Sequence, residues 1–275
     1  MLAKFTNCDP NDFATNYVRN YKRGQVLSRE LSDTQKLDRI EHAQCQQAEA
    51  IELLETNLGN KIGYKVALTN KKAQEQMGVN SPLVGVLLEK MLLPDGSIIP
   101  INSGARLIYE IDFLVKIKSE DINDAKTITD VARNIEAIYP FIEVPDLILS
   151  PDVSLTPEIL TAINVGAKWG VVGKPIPARS DREFLQALAN MRVTMYDESG
   201  ELLTEARGKD ILGHPFNSVL FLIEELDRRG EKLRSQDVVS LGTFGRFHVA
   251  KSGKSAIAVY QGIAPQPATV LVKFK

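Results

Sequence analysis

Apolar residues recur at helical spacing from residue 37 onward. Leu37, Ile40, Ala43, Ala48, Ile51 and Leu54 share one face, the three-to-four-residue period of an amphipathic helix. Ser32-Asp-Thr-Gln35 ahead of it has the form of a capping box, and Gly59 stands where a helix commonly stops. The period then shortens. Lys61–Leu68 reads as a strand carrying Lys65 into an apolar setting, and Lys71–Met77 as a short helix closed by Gly78. Pro94-Asp-Gly96 marks a turn, Ser97–Pro100 a short strand and residues 106–118 a long one. Ile128–Ala137 reads as a helix, with Asp130 and Arg133 outward, leading into a strand that carries Glu143. Gly170–Gly173 and Val193–Asp197 read as strands, the latter followed by a turn at Glu198-Ser-Gly200. A helix over Pro215–Arg229 buries Val219, Leu222, Ile223 and Leu226, with proline at its first turn and Gly230 past its end. Asp237–Leu241, Ser255–Tyr260 and Thr269–Phe274 complete the strands. The pattern predicts an α/β (α+β) chain: a helical N-terminal part over residues 1–60 and a mixed β domain with inserted helices over residues 61–275.

One strand breaks its own pattern. In Leu107–Ile117 two acids, Glu110 and Asp112, interrupt an apolar run. Side chains at i and i+2 share a face of a strand, so both carboxylates project together while Tyr109, Ile111, Phe113 and Val115 pack behind them. Like charges on a half-buried surface need a shared proton, a cationic partner or a bound ion. A third acid, Glu143, lies in the apolar run Ile138–Val144. Three carboxylates on strands suit a hard divalent ion with oxygen ligands. The plain alternatives are a solvent-facing row on a sheet for the pair and a structural ion pair for Glu143. Lys65 has three readings: it snorkels to the surface, it pairs with one of the carboxylates, or it is a desolvated acid or base.

Charge narrows the field. Thirty-three Lys and Arg against thirty-five Asp and Glu leave a net charge of −2, and no basic run is interleaved with aromatics, which argues against nucleic acid. No segment approaches the ~20 apolar residues of a membrane span, and the N-terminus lacks the apolar core of a signal peptide. Cys8 and Cys45 lack metal-ligand spacing and read as reduced thiols of a cytoplasmic protein. His214, before Pro215, reads as part of a helix entrance, His42 as lying on a polar helix face, and His248 alternates with apolar neighbours. Serine-hydrolase elbows and glycine-rich phosphate loops are absent. The partner expected is a small molecule.

The order of motifs resembles the hydratase/decarboxylase branch of the fumarylacetoacetate hydrolase superfamily, from about residue 35 to the C-terminus. Gly63-Tyr-Lys-Val-Ala-Leu-Thr-Asn70 resembles the family's Gly-x-Lys-x-Gly-Leu-Thr-Ser block, and Gly78-Val-Asn-Ser-Pro-Leu-Val-Gly85 its Gly-Val-x-x-Pro-x-x-Gly block. Glu110-Ile-Asp112 takes the place of the Glu-x-Glu metal motif and Glu143 that of the third metal glutamate. Leu212–Ser218 and Gly230–Gly242 resemble the helix and strand near the family's C-terminus. Departures accompany the matches. Asp112 stands for Glu, Ala67 for Gly, and Ile163-Asn164 for an Asp-Asn pair, and the small polar residue after that pair is lost at Val165-Gly166. Leu83 sits where hydratases often have Asp and decarboxylases an apolar residue.

The resemblance implies a mixed β-barrel or β-roll core with flanking helices, and a homo-oligomer acting in aromatic catabolism. It implies Mg²⁺ or Mn²⁺ held by Glu110, Asp112 and Glu143, with Lys65 moving a proton. Leu83, Asn164 and Thr243 would line the pocket of a small 2-oxo acid. A 2-keto-4-pentenoate hydratase is the first expectation and a 4-oxalocrotonate-type decarboxylase the alternative. The departures motivate a third, a family member kept as a binding or assembly protein. Hydrolysis of an acylpyruvate-type bond would need a water base that the sequence does not supply.

Overall fold

The structure, a computed structural model, describes residues 12–28, 37 and 39–275. The capping box at Ser32–Gln35 and Cys8 lie outside these residues. Two helices open the chain, α1 (Phe13–Arg23) and α2 (Ile40–Leu58). α2 buries the predicted Ala43, Ile51 and Leu54 and stops at Gly59, but it starts at Ile40, past Leu37, and buries Ala50 where Ala48 was expected. Its Cys45 is disulfide-bonded, which corrects the reduced thiol expected there.

The elements after it are β1 (Lys61–Ala67), α3 (Lys71–Met77), β2 (Leu83–Leu88), β3 (Leu92–Pro94), β4 (Ile98–Ile99) and β5 (Ile108–Ile117). Next come α4 (Ile128–Arg133), β6 (Ile135–Val144), α5 (Pro157–Ala162), β7 (Trp169–Val172) and β8 (Ile176–Pro177). The chain continues with α6 (Arg182–Asn190), β9 (Arg192–Asp197), β10 (Leu202–Arg207) and α7 (Asn217–Arg228). It ends with β11 (Val238–Ser240), β12 (Phe244–Val249), β13 (Ser255–Gln261) and β14 (Ala268–Phe274). α4 starts where expected, on a capping box between Thr127 and Asp130, but stops four residues short of Ala137. Ile135 and Ala137 already pair with Ile117 and Lys116 of β5, so the sheet ladder overrides local helix propensity.

Among the described residues the strands form two sheets. The larger runs β2-β1-β11-β5-β6-β7-β3, with β12 also on β5 and β8 on β6. It curls as a half-barrel and ends in β2 and β3 rather than closing. The smaller runs β10-β9-β13-β14-β4. Tyr109, Ile111, Phe113 and Val115 of β5 share one core with Val193, Met195, Ala258 and Val270 of the smaller sheet. Leu114 of β5 and Phe141 of β6 share a second core with Phe13, Tyr17, Ile51 and Leu54 of α1 and α2. β5 is therefore covered on both faces, as sheets sandwiched between layers are. The acids of β5 are inside the protein, and the solvent-facing row is excluded for Asp112, which is 0 % exposed.

Candidate active site

Register assembles the acids. β5 and β6 run antiparallel with Glu110 opposite Glu143 and Asp112 opposite Phe141. Opposed residues bring their Cβ atoms to about 5 Å, so Glu110 meets Glu143 across the ladder and Asp112 joins them along the strand. Lys65 starts three strands away, on β1. On a flat sheet that is about 14 Å. The curl closes the gap, and the Lys65 ammonium forms a buried ion pair with Glu143 Oε1. Its Nζ also donates to the Val165 carbonyl at 3.1 Å. Of the three readings of Lys65, the pairing is the one observed; the side chain is 2 % exposed and does not snorkel. Gly85 lies opposite Lys65 on β2, and a Cβ there would come to 2.7 Å from Lys65 Cγ. The missing side chain is the channel for the lysine stem.

The acids are held differently. Asp112 Oδ2 accepts from Ser240 Oγ at 2.5 Å, and Oδ1 accepts from the Gly242 N–H at 3.0 Å and from the Phe113 N–H. Gly242 makes this approach at φ 113°, where a Cβ would collide with Thr69. Burial, and then repulsion from Glu143, push Asp112 up to about 7 against the pull of the Ser240 and Phe113 donors. Glu110 keeps a partly exposed edge. Burial first and Glu143 second raise it well above the carboxylate range, while Lys65 and a hydrogen bond with Thr243 pull the other way. Perturbed acids with a specific charge partner mark a candidate functional site.

The donor set can be tested against a metal. One ammonium faces three acids, and Glu143 Oε1, although against Lys65, has no hydrogen bond. An under-compensated acid cluster with an orphaned carboxylate oxygen fits a hard cation. The carboxylates are not gathered for one: among the described residues no group of three or more His, Cys, Asp or Glu side chains is arranged to hold an ion. Asp112 is turned onto Ser240 and Gly242, and Glu143 onto Lys65. The chemistry of the donors fits a divalent ion, and their arrangement is that of charges satisfied by protein groups.

Leu83 opens β2 opposite Ala67, on the Lys65 side of the sheet by strand alternation, and is 8 % exposed. Thr243 bonds Glu110 and lines a cavity of about 500 Å³ with Asn70, Lys72, Thr204, Asp210 and Arg246. Asn164 is fully buried and its amide is engaged within the protein: Oδ1 accepts from the Val86 N–H at 2.7 Å and from Gln47 Nε2 at 3.1 Å, and Nδ2 donates to the Val86 carbonyl at 2.9 Å. Asn164, Val165 and Gly166 are consecutive left-handed residues, with φ of 54°, 52° and 68°. For β-branched Val165 that conformation costs of order 1–3 kcal/mol. Ser240, Gly242, Gly85, Gln47 and the Val165 carbonyl escaped the sequence reading. The Ser-Leu-Gly242 end of the C-terminal motif is the one signal that pointed near them. His214 sits at the entrance to α7 as expected, with Nδ1 accepting from the Phe216 N–H and Nε2 donating to the Leu185 carbonyl.

No family model matches the chain. In sequence it is similar to 4-oxalocrotonate decarboxylase from Pseudomonas putida, 26% identical over 208 residues, 74% of this chain and 76% of that protein. It is also similar to 2-keto-4-pentenoate hydratase from Burkholderia vietnamiensis, 26% identical over 220 residues, 79% and 81% of the two chains. In structure it is similar to 4-oxalocrotonate decarboxylase from Pseudomonas putida G7, complexed with magnesium and adipate. That likeness has a TM-score of 0.84 at 21% identity, over 98% of this chain and 100% of that one. Fumarylpyruvate hydrolase from Pseudomonas aeruginosa, in complex with Mn²⁺ and pyruvate, matches with a TM-score of 0.58 at 15% identity, over 78% and 90%. The half-barrel and its covering helices are thus a fumarylacetoacetate hydrolase fold. In sequence the chain is similar to hydratases and decarboxylases of that superfamily.

Proposed function

We propose that this protein is a divalent-metal-dependent lyase of small unsaturated 2-oxo acids, a 2-keto-4-pentenoate hydratase in the first reading. The observation that carries it is the buried cluster of Glu110, Asp112 and Glu143, three acids set against the one ammonium of Lys65. Glu110, Asp112 and Glu143 would hold Mg²⁺ or Mn²⁺. When bound, such an ion supplies a Lewis acid for the keto oxygen of a 2-oxo acid. The chain's own residues do the rest. Lys65 Nζ, held between Glu143 and the Val165 carbonyl, carries the proton that the substrate skeleton takes up, a role worth typically ~10²–10⁴-fold. It also places positive charge where negative charge develops in the transition state. Leu83 walls the lysine side with hydrocarbon, and Thr243 orients Glu110 from the cavity side. No lysine imine is required for this chemistry.

A second reading, the decarboxylase, is favoured by two observations. Leu83 is apolar beside Lys65, and Lys72 and Arg246 both line the Thr243 cavity, where they fit the second carboxylate of a dicarboxylic substrate. Calorimetry of chelator-stripped protein with Mg²⁺ and Mn²⁺, wild type against Glu143→Ala, tests the common part. Binding lost in the variant is expected, followed by hydration or CO₂ release from 2-oxo acids. Wild type that neither binds an ion nor turns over a 2-oxo acid with one present would leave the reading of a binding or assembly protein.

A further inference from the structure

We infer that Asn164 is a positioning residue for Lys65: with Gln47 it locks a left-handed turn whose Val165 carbonyl holds the ammonium in place. This rests on the reading above only in giving Lys65 a part in the reaction. The geometry stands without it.

The turn is over-determined by two buried amide side chains, Asn164 and Gln47. Asn164 pairs with both backbone groups of Val86, at 2.7 and 2.9 Å, as a neighbouring strand would. Gln47, 3 % exposed on α2, spends its Nε2 on Asn164 Oδ1 at 3.1 Å and on the Val84 carbonyl at 2.9 Å. The two amides thus clamp β2 on either side of Gly85. Gly85 is the residue opposite Lys65, and a Cβ there would meet both Lys65 Cγ at 2.7 Å and the Asn164 carbonyl at 3.0 Å. The lysine stem therefore runs in a slot with Gly85 as its floor and the Asn164–Gly166 turn as its wall. At the end of the slot the Val165 carbonyl takes Nζ at 3.1 Å. Asparagine tolerates the left-handed region far better than most residues and valine poorly. Val165 is kept there by the neighbours that the Asn164 amide ties down. The helical N-terminal part thereby reaches the reaction centre: α2 acts on Lys65 through one glutamine.

The test pairs an activity-independent readout with kinetics. Asn164→Ala and Gln47→Met are labelled with an amine-acylating reagent, and modification of Lys65 and of Lys168 is followed by peptide mass spectrometry. Lys168 is a second buried lysine, 4 % exposed, held by the Tyr21 carbonyl at 2.7 Å. The expected result is faster labelling of Lys65 with Lys168 unchanged. Equal acceleration of both, or none at Lys65, overturns the inference, because general loosening moves both lysines. In parallel, Mg²⁺-dependent deuterium exchange at C3 of 2-oxobutyrate is measured in wild-type and Lys65→Met backgrounds. Asn164→Ala should lower kcat about 10- to 100-fold with KM and Mg²⁺ affinity little changed, and should add nothing once Lys65 is gone. Additive losses in the two backgrounds also overturn it. If wild type shows no exchange while the labelling result holds, the lyase reading fails and the positioning of Lys65 stands.

Discussion

Lys65→Met removes the one cation that, among the described residues, is paired with the Glu110, Asp112 and Glu143 cluster, while keeping most of the stem that fills the slot beside Gly85. Breaking a buried ion pair by deleting one partner costs about 3–5 kcal/mol. Here the lost charge also served two further groups, because Lys65 pulls both Glu110 and Asp112 downward. The pH dependence follows in sign. A carboxyl raised in the folded state binds its proton more tightly folded than unfolded, so stability falls as pH rises from the unfolded value through the folded one. For Asp112 that window runs from its ordinary value of 3.8 to about 7, and without Lys65 it extends higher. The cost of the substitution is therefore larger near pH 8, above the value to which Asp112 is raised, and shrinks toward about pH 5. At about 2–4 °C per kcal/mol for a chain near this size, the melting point should fall by about 6–20 °C near pH 8. Thermal melts and urea titrations in chelator at the two pH values, repeated with Mg²⁺, measure it. Mg²⁺ should restore part of the loss at the higher pH. A variant within about 1 kcal/mol of wild type near pH 8 in chelator, below the range for a broken buried pair, refutes the reasoning. So does a cost that ignores pH.

The remaining predictions concern the neutral groups around Asp112. Ser240→Ala deletes the 2.5 Å donor to Oδ2; denaturant titration should show a loss of about 1–3 kcal/mol that grows with pH, since Asp112 moves further upward without it. Tyr260→Phe removes a hydroxyl that lies 2.5 Å from the Asp112 carbonyl and 2.9 Å from the Phe141 carbonyl, and that accepts the Phe141 N–H at 3.2 Å. It should cost a similar ~1–3 kcal/mol, independent of pH, with Mg²⁺ affinity unchanged by calorimetry. A pH-dependent loss in Tyr260→Phe would show that the hydroxyl supports the carboxylate rather than the sheet junction.

What could be read along the chain is what depends on short-range period. Lys65, Glu110, Asp112 and Glu143 were assigned to strands because polar residues stand out against apolar alternation, and α2, α3 and α7 because apolar stripes and their glycine stops agree. What could not be read is pairing. Nothing local says that Glu110 faces Glu143 rather than Ile142, since a one-residue slip of β6 would turn every side chain over. Ser240 and Gly242 reach Asp112 from 128 and 130 residues away. The end of α4 was misplaced because Ile135–Ala137 suits either state locally and is decided by Ile117 and Lys116 across the ladder. β12 is not predicted because Gly245 and Arg246 break its apolar pattern. Asn164 is named by the resemblance, as the retained half of an Asp-Asn pair, while its partners, Gln47 on α2 and Val86 on β2, lie far off in sequence.

The two acids that make the site unusual differ in what an arriving cation would displace. Asp112 carries three donors, two of them backbone N–H groups fixed by the strand and by the Gly242 turn. Turning it outward means leaving those donors unpaired in a dry interior, a cost of about 1–3 kcal/mol for each buried group. Glu143 has only Lys65 against Oε1 and no hydrogen bond to lose there. Of these two acids Glu143 is the one that leaves no buried hydrogen-bond donor behind when it turns, and an ion held there would take the place of the ammonium. Under the lyase reading that exchange has a use. Glu143 would then be free to hold the ion, and Lys65 would keep the Val165 carbonyl as its acceptor and its proton for the substrate. The Asn164–Gly166 turn keeps its place on this account because Lys65 needs a second acceptor at the moment it loses the first.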